Sequence, residues 1–323
     1  MTSGASTELA ARLLGQACVN ERPITVDQTN SSVVVDERVI VKWLRPPVPV
    51  PHPGVELIRH LTAAGFAEMP SFVGLDERDG FVHAIVTEFL PGAVDGWDWF
   101  VDDLVAWLDD ELPFDSLIGW AQRMGAITAR LHTALADLQP GPVAVEPVAD
   151  QAMADLQLAK SRLDRLEWLD DRDVTEALRP LREPARVRGH RIHGDLHAGQ
   201  FLRAGEIMLV TDFDGNPLQH VDGRAVAQSP LRDVASMLQS IEHVGAVVVK
   251  RRRPERVADV DHFNRSAVTA ALDAYRAVHI VDERLLLAFR VAQELHEYAY
   301  SIHHLPHWRY VADAALPALL RRS

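Results

Sequence analysis

Cysteine is almost missing from this chain: among 323 residues there is one, Cys18. A lone cysteine excludes a disulfide framework and a cysteine-cluster metal centre, and reads as a small apolar residue. Lysine is nearly as scarce: Lys42, Lys160 and Lys250 stand against thirty arginines. No apolar run approaches the roughly 20 residues of a membrane helix; the longest, around 244–249, is a few residues. Met1-Thr2-Ser3-Gly4 is not a basic segment leading into an apolar one, so no signal peptide is expected and the cytoplasm is the expected compartment. Positive charge is in deficit as well, with a formal net charge of -13. That balance argues against nucleic acid and anionic membrane as partners, and favours a small cationic one.

What is present divides in two. The length suggests two domains or one two-part unit, and 47% hydrophobic with 24% charged residues is ordinary for a globular chain. Residues 5–19 read as an amphipathic helix capped by Ser6 or Thr7, with Leu9, Leu13 and Leu14 on one side. Strand patterns follow at 31–35 and 39–44, around the polar turn Asp36-Glu37-Arg38. The prolines of 46–53 are expected to end the second of these. Residues 54–64 fit a short helix containing Glu56, and 71–75 and 82–89 two further strands. Leu90-Pro91-Gly92 breaks the pattern, and beyond about 101 the chain is mainly helical. The expected class is α+β. A small antiparallel-sheet domain would cover 1–90 and a larger helical domain 91–323.

Two stretches carry chemistry. The first is His193-Gly194-Asp195-Leu196-His197-Ala198-Gly199-Gln200; the second is Val210-Thr211-Asp212-Phe213-Asp214. Either alone is also a plausible turn. Together, bounded by the apolar runs at 191–192 and 207–210, they match what phosphoryl transfer from ATP requires. One carboxylate accepts the proton of the attacking hydroxyl, and a second carboxylate with a side-chain carbonyl holds Mg²⁺ against the phosphates. Asp195 suits the first role, Asp212 and Gln200 the second. Lys42, on a strand in an arginine-biased chain, stands where a point-like ammonium would pair with ATP phosphates, with Glu56 on the next helix as its partner. Glu88-Phe89-Leu90 is the segment whose backbone is expected to bind adenine. His193 and His197 are expected to organise the loop, and Asp233, following Pro230 at a helix start, to support it. The run Lys250-Arg251-Arg252-Arg253 reads as a solvated loop, and His303 and His304 as surface residues.

These residues resemble the aminoglycoside phosphotransferase superfamily, whose fold is similar to that of protein kinases. The motifs at 193–200 and 212–217, with Ser229-Pro230-Leu231-Arg232-Asp233-Val234-Ala235, are closer to bacterial maltokinases, including glutamine as the second metal ligand. The tail, Gln293-Glu294-Leu295-His296-Glu297-Tyr298-Ala299-Tyr300 with Trp308-Arg309-Tyr310, is similar to the signature of actinobacterial glucosamine kinases. The resemblance covers the chain from about residue 33. It implies a bilobal protein-kinase-like fold, ATP as donor, Mg²⁺ as cofactor and an amino sugar phosphorylated on its 6-hydroxyl. Two departures stand out. No glycine-rich loop precedes Lys42, so amides or hydroxyls of Ser31 and Ser32, in the turn expected within 27–32, would cover the phosphates. Maltokinases have glutamate where this chain has Asp214, which implies a further metal ligand with a shorter reach.

Residues 283–304 read as one helix. Leu287, Val291, Leu295, Tyr298 and Ile302 form an apolar stripe, and Gln293, His296, Glu297 and Tyr300 gather on the other face, within about 100° of arc. A carboxylate there, Glu297, can make a charge-assisted hydrogen bond to a substrate ammonium. Trp308 can wall a sugar face, while Asp195 orients the hydroxyl. A maltokinase, an aminoglycoside kinase and a nucleotide-binding regulator without catalysis are the alternatives, the last disfavoured by the intact Lys42, Asp195, Gln200 and Asp212.

Overall fold

The computed structural model of the chain describes residues 4–24, 30–164, 166–183, 186–216 and 221–321. In chain order the elements are α1 (Ala5–Leu14), β1 (Glu21–Ile24), β2 (Ser31–Val35), β3 (Val39–Pro49), α2 (Pro53–Ala63), β4 (Phe72–Arg78) and β5 (Phe81–Glu88). Then come α3 (Gly96–Leu108), α4 (Phe114–Leu135), β6 (Gly141–Val143), α5 (Glu146–Arg162), α6 (Asp171–Leu178) and β7 (Val187–Gly189). The chain ends with β8 (Phe201–Ala204), β9 (Ile207–Val210), α7 (Val221–Arg224), α8 (Leu231–Arg251), α9 (Val257–Arg276), α10 (Glu283–His303) and α11 (Tyr310–Leu320). Among the described residues no helix is long and apolar enough to cross a membrane.

Two compact units emerge: Met1–Val94 with Phe201–Arg224, and Asp95–Gln200 with Ala225–Ser323. The first therefore takes back a segment that the sequence pattern assigns to the helical domain. The cause is hydrogen bonding. Val94 and Arg203 exchange two backbone bonds of 2.9 Å, and the Val210 amide donates to the Glu68 carbonyl at 2.8 Å. The β8–β9 hairpin is thereby tied into the sheet unit.

The sheet of the first unit is antiparallel in the order β1-β2-β3-β5-β4. Leu9 and Ala10 of α1 pack on Val33, Val35, Val41, Ala84 and Val86. Val55 of α2 joins Leu44, Val82 and Ile85 in a second cluster. Ala84 and Ile85 alternate along β5, so the two clusters use opposite faces. A strand covered on both sides reads as a continuous apolar run, as Val33-Val34-Val35 does. Each such buried side chain contributes about 1.5–3 kcal/mol. Three details depart from the sequence pattern. The first helix stops at Leu14 because Gly15 takes a left-handed cap, φ 67°. β1, Glu-Arg-Pro-Ile, is an exposed edge strand without an apolar pattern, and an edge tolerates its proline. β3 continues to Pro49; its register against β5 shifts between Trp43 and Val48, so Pro46 and Pro47 fall where no ladder amide is demanded.

In the second unit α8 supplies the central buried surface: Leu238, Ile241, Val244 and Val248 are all inaccessible. Met124 and Ile127 of α4, Phe263 and Ala267 of α9, and Val291 and Leu295 of α10 complete the core. Gln293, His296, Glu297 and Tyr300 are half-buried.

Candidate active site

The first unit brings together three of the predicted residues. Lys42 lies mid-strand on β3, opposite Ser32 of β2 and Ile85 of β5. Its ammonium is 2.8 Å from Asp212 Oδ1 and 2.9 Å from Asp214 Oδ2. Burial pulls the Lys42 pKa down, but Asp214 and Asp212 outweigh it and hold the group above the usual lysine range. Lys42 is therefore a fixed positive charge. The sequence reading paired it with Glu56; the ion pairs of Lys42 go instead to the two aspartates, and Glu56 stands in the first turn of α2.

The local cause is Gly54. A Cβ at that position would lie 2.7 Å from Asp214 Oδ1 and 2.9 Å from the Phe213 carbonyl oxygen. Only glycine lets the first turn of α2 press on the Asp-Phe-Asp turn and bring Asp214 up to β3. His52 caps the same helix: its Nδ1 accepts from the Gly54 and Val55 amides at 3.1 and 3.3 Å, so Nε2 carries the proton. That Nε2 is 4.0 Å from Asp214 Oδ1. Burial, with Lys42 and Arg224 nearby, keeps His52 below its ordinary pKa despite Asp214. The positive end of the α2 dipole adds to the field at Asp214. Asp212 has φ 61°, a left-handed conformation that non-glycine residues adopt where the surroundings impose it.

Two adenine and phosphate assignments look different in three dimensions. Ser31 and Ser32 open β2 rather than forming a loop, and residues 27–29 of the expected turn lie outside the described residues. The Glu88 carboxylate accepts from the Ser71 hydroxyl at 2.6 Å. The Glu88 and Phe89 amides donate to the carbonyls of Ser71 and Arg38 at 2.9 and 2.8 Å, and the Leu90 carbonyl accepts from Ala93. Those three backbone groups of the 88–90 segment are thus engaged within the sheet unit.

The second unit builds the loop 193–200. Asp233, wholly buried, accepts the His193 amide at 2.8 Å, the Gly194 amide at 2.9 Å and His132 Nε2 at 3.1 Å. Burial works to raise the Asp233 pKa, yet His132 and the loop amide bring it below the usual carboxylate value. His132 Nδ1 in turn meets the Tyr275 hydroxyl at 2.9 Å. Asp233 is thus an anion tied to two amides of the loop. His197 takes the inner side of the same loop. Its Nδ1 accepts the Gly199 amide at 3.1 Å, and its Nε2 is 3.3 Å from Gln200 Nε2 and 3.9 Å from Asp195 Oδ2. The imidazole is within hydrogen-bond reach of Gln200, the candidate metal ligand, while the carboxylate of Asp195, the candidate base, lies just beyond that reach. The Ala198 amide donates to Ser240 Oγ at 2.8 Å, and the first turn of α3 presses on the loop at Gly96, where a Cβ would lie 1.9 Å from the Ala198 carbonyl oxygen.

The candidate acceptor residues make separate local contacts. Gln293 Nε2 donates to Glu297 Oε1 at 3.3 Å, fixing that carboxylate. Asp155 of α5 meets His296 Nδ1 at 3.4 Å and raises its pKa. Tyr300 is raised by burial and by the charges of Glu297 and Asp195. Trp308 meets the edge of Trp97, ring centroids 5.7 Å apart, and Trp97 stacks on His197 at 5.8 Å. Trp97, His132, Ser240 and His52 were not singled out in the sequence. A histidine in the apolar pattern of α4 and a tryptophan one turn after a proline-glycine break carry no signal until the helices are placed.

The metal chemistry fits. Asp212 and Asp214 offer hard oxygen donors that converge on one positive charge. Among the described residues no group of three or more His, Cys, Asp and Glu is arranged to hold a metal. Mg²⁺ typically uses one or two carboxylates and completes its shell with phosphates and water.

No protein-family profile matches the chain. A glucosamine kinase from Streptacidiphilus jiangxiensis is 40% identical over 93% of this chain and 73% of the relative. A second, from Mycolicibacterium smegmatis (strain ATCC 700084 / mc(2)155), is 37% identical over 94% of this chain and 81% of its own. Among solved structures, a glucosamine kinase in complex with glucosamine, ADP and inorganic phosphate superposes with a TM-score of 0.85 at 35% identity, covering 99% of this chain and 83% of that one. The GDP complex of aminoglycoside 2'-phosphotransferase-IIIa shares the fold alone, at 14% identity and a TM-score of 0.52 over 100% and 99% of the two chains. With identity at this level along nearly its whole length, the chain belongs to the glucosamine kinase family.

Proposed function

We propose that the chain transfers the γ-phosphoryl group of ATP to the 6-hydroxyl of D-glucosamine, giving glucosamine 6-phosphate and ADP. The observation that carries this is the 40% identity to a glucosamine kinase over 93% of the chain. Lys42 neutralises phosphate charge, and Asp214 and Asp212 keep it protonated. Gln200, Asp212 and Asp214 would hold Mg²⁺, which would neutralise charge on the phosphates. Asp195 orients the sugar hydroxyl and takes its proton as the loose transition state develops; positioning and electrostatics supply the rate. Glu297, braced by Gln293, receives the ammonium of the sugar; His296, Tyr300 and Trp308 line the ring. Ser31 and Ser32 serve the phosphates, Glu56 the charge balance of α2, and Glu88 and Leu90 flank the adenine. The reaction is cytoplasmic, where ATP is. An acceptor screen by coupled ADP release, with the product position assigned by NMR, tests the reading. Glucosamine should exceed glucose, maltose and aminoglycosides in kcat/KM, and a preference for maltose would reject it.

A further inference from the structure

The second unit contains a cavity of about 780 Å³ that the phosphotransfer chemistry does not use, bounded by α8, α9 and α11. Three cations line it: Lys250, Arg265 and Arg321. None of the three has an ion-pair partner among the described residues. Of the two carboxylates in the lining, Glu242 is neutralised by Arg290 at 2.5 Å, which leaves Asp261. The cavity is therefore positive, in a protein of formal charge -13. The basic run 250–253 is also not uniformly solvated. Arg252 and Arg253 pair with Asp102 and Asp109 on and beside α3. Arg251 lies over the rings of Trp308 and Tyr310, while Lys250 faces the cavity.

One polar atom sharpens the chemistry. Asn264 Oδ1 is buried, lines the cavity and has no hydrogen-bond partner among the described residues. An apolar occupant would strand it, at the usual cost of a buried unmet polar group. A bare anion would satisfy the cations but bring acceptors to Asn264 Oδ1, itself an acceptor. A ligand carrying both hydroxyl donors and an anionic phosphate meets every one of these groups. We propose that this cavity is a second ligand site, which takes a hydroxylated phosphate monoester of the sugar-phosphate class. Its wall is continuous with the acceptor surface: Tyr310 meets the edge of Trp308 at 5.8 Å, and Trp308 leads through Trp97 to His197. Occupancy of the cavity shifts Trp308 and so changes the apparent affinity for the acceptor. This coupling rests on the proposed role of Trp308, whereas the binding does not.

Calorimetric titration of the full chain, kept saturated with ADP and glucosamine so that the catalytic site is filled, tests the site. Glucose 6-phosphate is expected to bind once per chain, and glucose and inorganic phosphate at least about tenfold more weakly. The charge reversal Lys250→Glu with Arg265→Glu weakens glucose 6-phosphate by more than about tenfold, and Ala318→Trp, which fills the cavity, abolishes its binding. In the absence of the probe both variants turn over glucosamine as the parent does. Undiminished binding to either variant, or no binding of glucose 6-phosphate at millimolar concentration, overturns the site. A turnover assay reads the coupling: the probe moves the KM for glucosamine in the parent and not in Ala318→Trp. An unmoved KM, or a shift that survives Ala318→Trp, overturns the coupling. A chain that binds the probe yet phosphorylates no sugar keeps the second site and loses the kinase reading.

Discussion

Trp97 stacks on His197 with ring centroids 5.8 Å apart and 29° between planes. A residue outside every motif thus packs on the imidazole that meets Gln200 and stands 3.9 Å from the Asp195 carboxylate. Trp97 is a positioning residue, and its removal should appear in kcat. Displacing a reacting group by 1 Å can cost about 10²-fold. Trp97→Ala is expected to lower kcat with glucosamine by about 10- to 100-fold while leaving the KM for ATP near the parent value. Trp97→Phe, which can keep a stacked ring, should recover most of the loss. Steady-state kinetics of both variants decides it, and a purely structural tryptophan would instead lower thermal stability with kcat unchanged in the folded fraction.

Asp195 is the group assigned to take the proton. A positioned general base contributes about 10²–10⁴-fold. Asp195→Asn keeps shape and loses basicity, so turnover should fall by about that factor with ATP binding and the melting temperature retained. Near-normal turnover in Asp195→Asn would remove Asp195 from the mechanism.

Gly54 has a steric prediction. In Gly54→Ala the new methyl meets Asp214 Oδ1 and the Phe213 carbonyl, one of them backbone, so the turn must move. Lys42 then loses its Asp214 contact at 2.9 Å. Phosphotransfer should drop by about 10-fold or more, with the Lys42 pKa, read by NMR, falling back toward the usual lysine range. Unchanged kinetics would show that the contact between α2 and the Asp-Phe-Asp turn is not required.

Much of this was legible in the sequence because it depends on local order. Asp195, Gln200 and Asp212 fall in short motifs, the alternation from Ser31 to Phe89 gave four of the five strands, and Lys42 stood out by scarcity. What was illegible depends on long-range contact. The hairpin 201–210 joins the sheet unit through Val94 and Glu68, which no pattern in the hairpin itself announces. The partners of Lys42 are decided by a missing side chain at Gly54, 160 positions before Asp214. The His132–Asp233 contact spans 101 residues, and β1 was missed because an exposed edge strand has no apolar face to show.

Glu297 decides acceptor choice under the proposed function. In Glu297→Gln the ammonium of glucosamine loses a charge-assisted bond, while the hydroxyl contacts remain. Hydrogen bonds to charged groups are worth about 1.5–3 kcal/mol, so the kcat/KM ratio of glucosamine to glucose should fall by about 10- to 100-fold. The comparison is made with both sugars on one preparation, and a preserved ratio would move amine recognition to another group.

The last prediction concerns pH. Glu294 is inaccessible, with Oε1 3.1 Å from His243 Nε2 and Oε2 without a hydrogen bond among the described residues. Burial raises its carboxyl from the usual 4.5 to about 7, even though His243 opposes the rise. Burial works against the His243 cation, but Glu294 beside it prevails and holds His243 above its ordinary value. Both groups bind a proton more tightly in the folded chain than in the unfolded one. Stability therefore falls as pH rises, because the native state holds more protons than the unfolded state. The contribution of Glu294 is complete below its ordinary value of 4.5 and is lost as pH climbs through about 7. Between these limits the free energy of unfolding should decline by up to about 1.4 kcal/mol per pH unit for each proton involved. Glu294→Gln, which cannot ionise, should flatten that slope in urea unfolding measured from pH 5 to 8. The same slope in parent and variant would show that the pair keeps one charge state through the range.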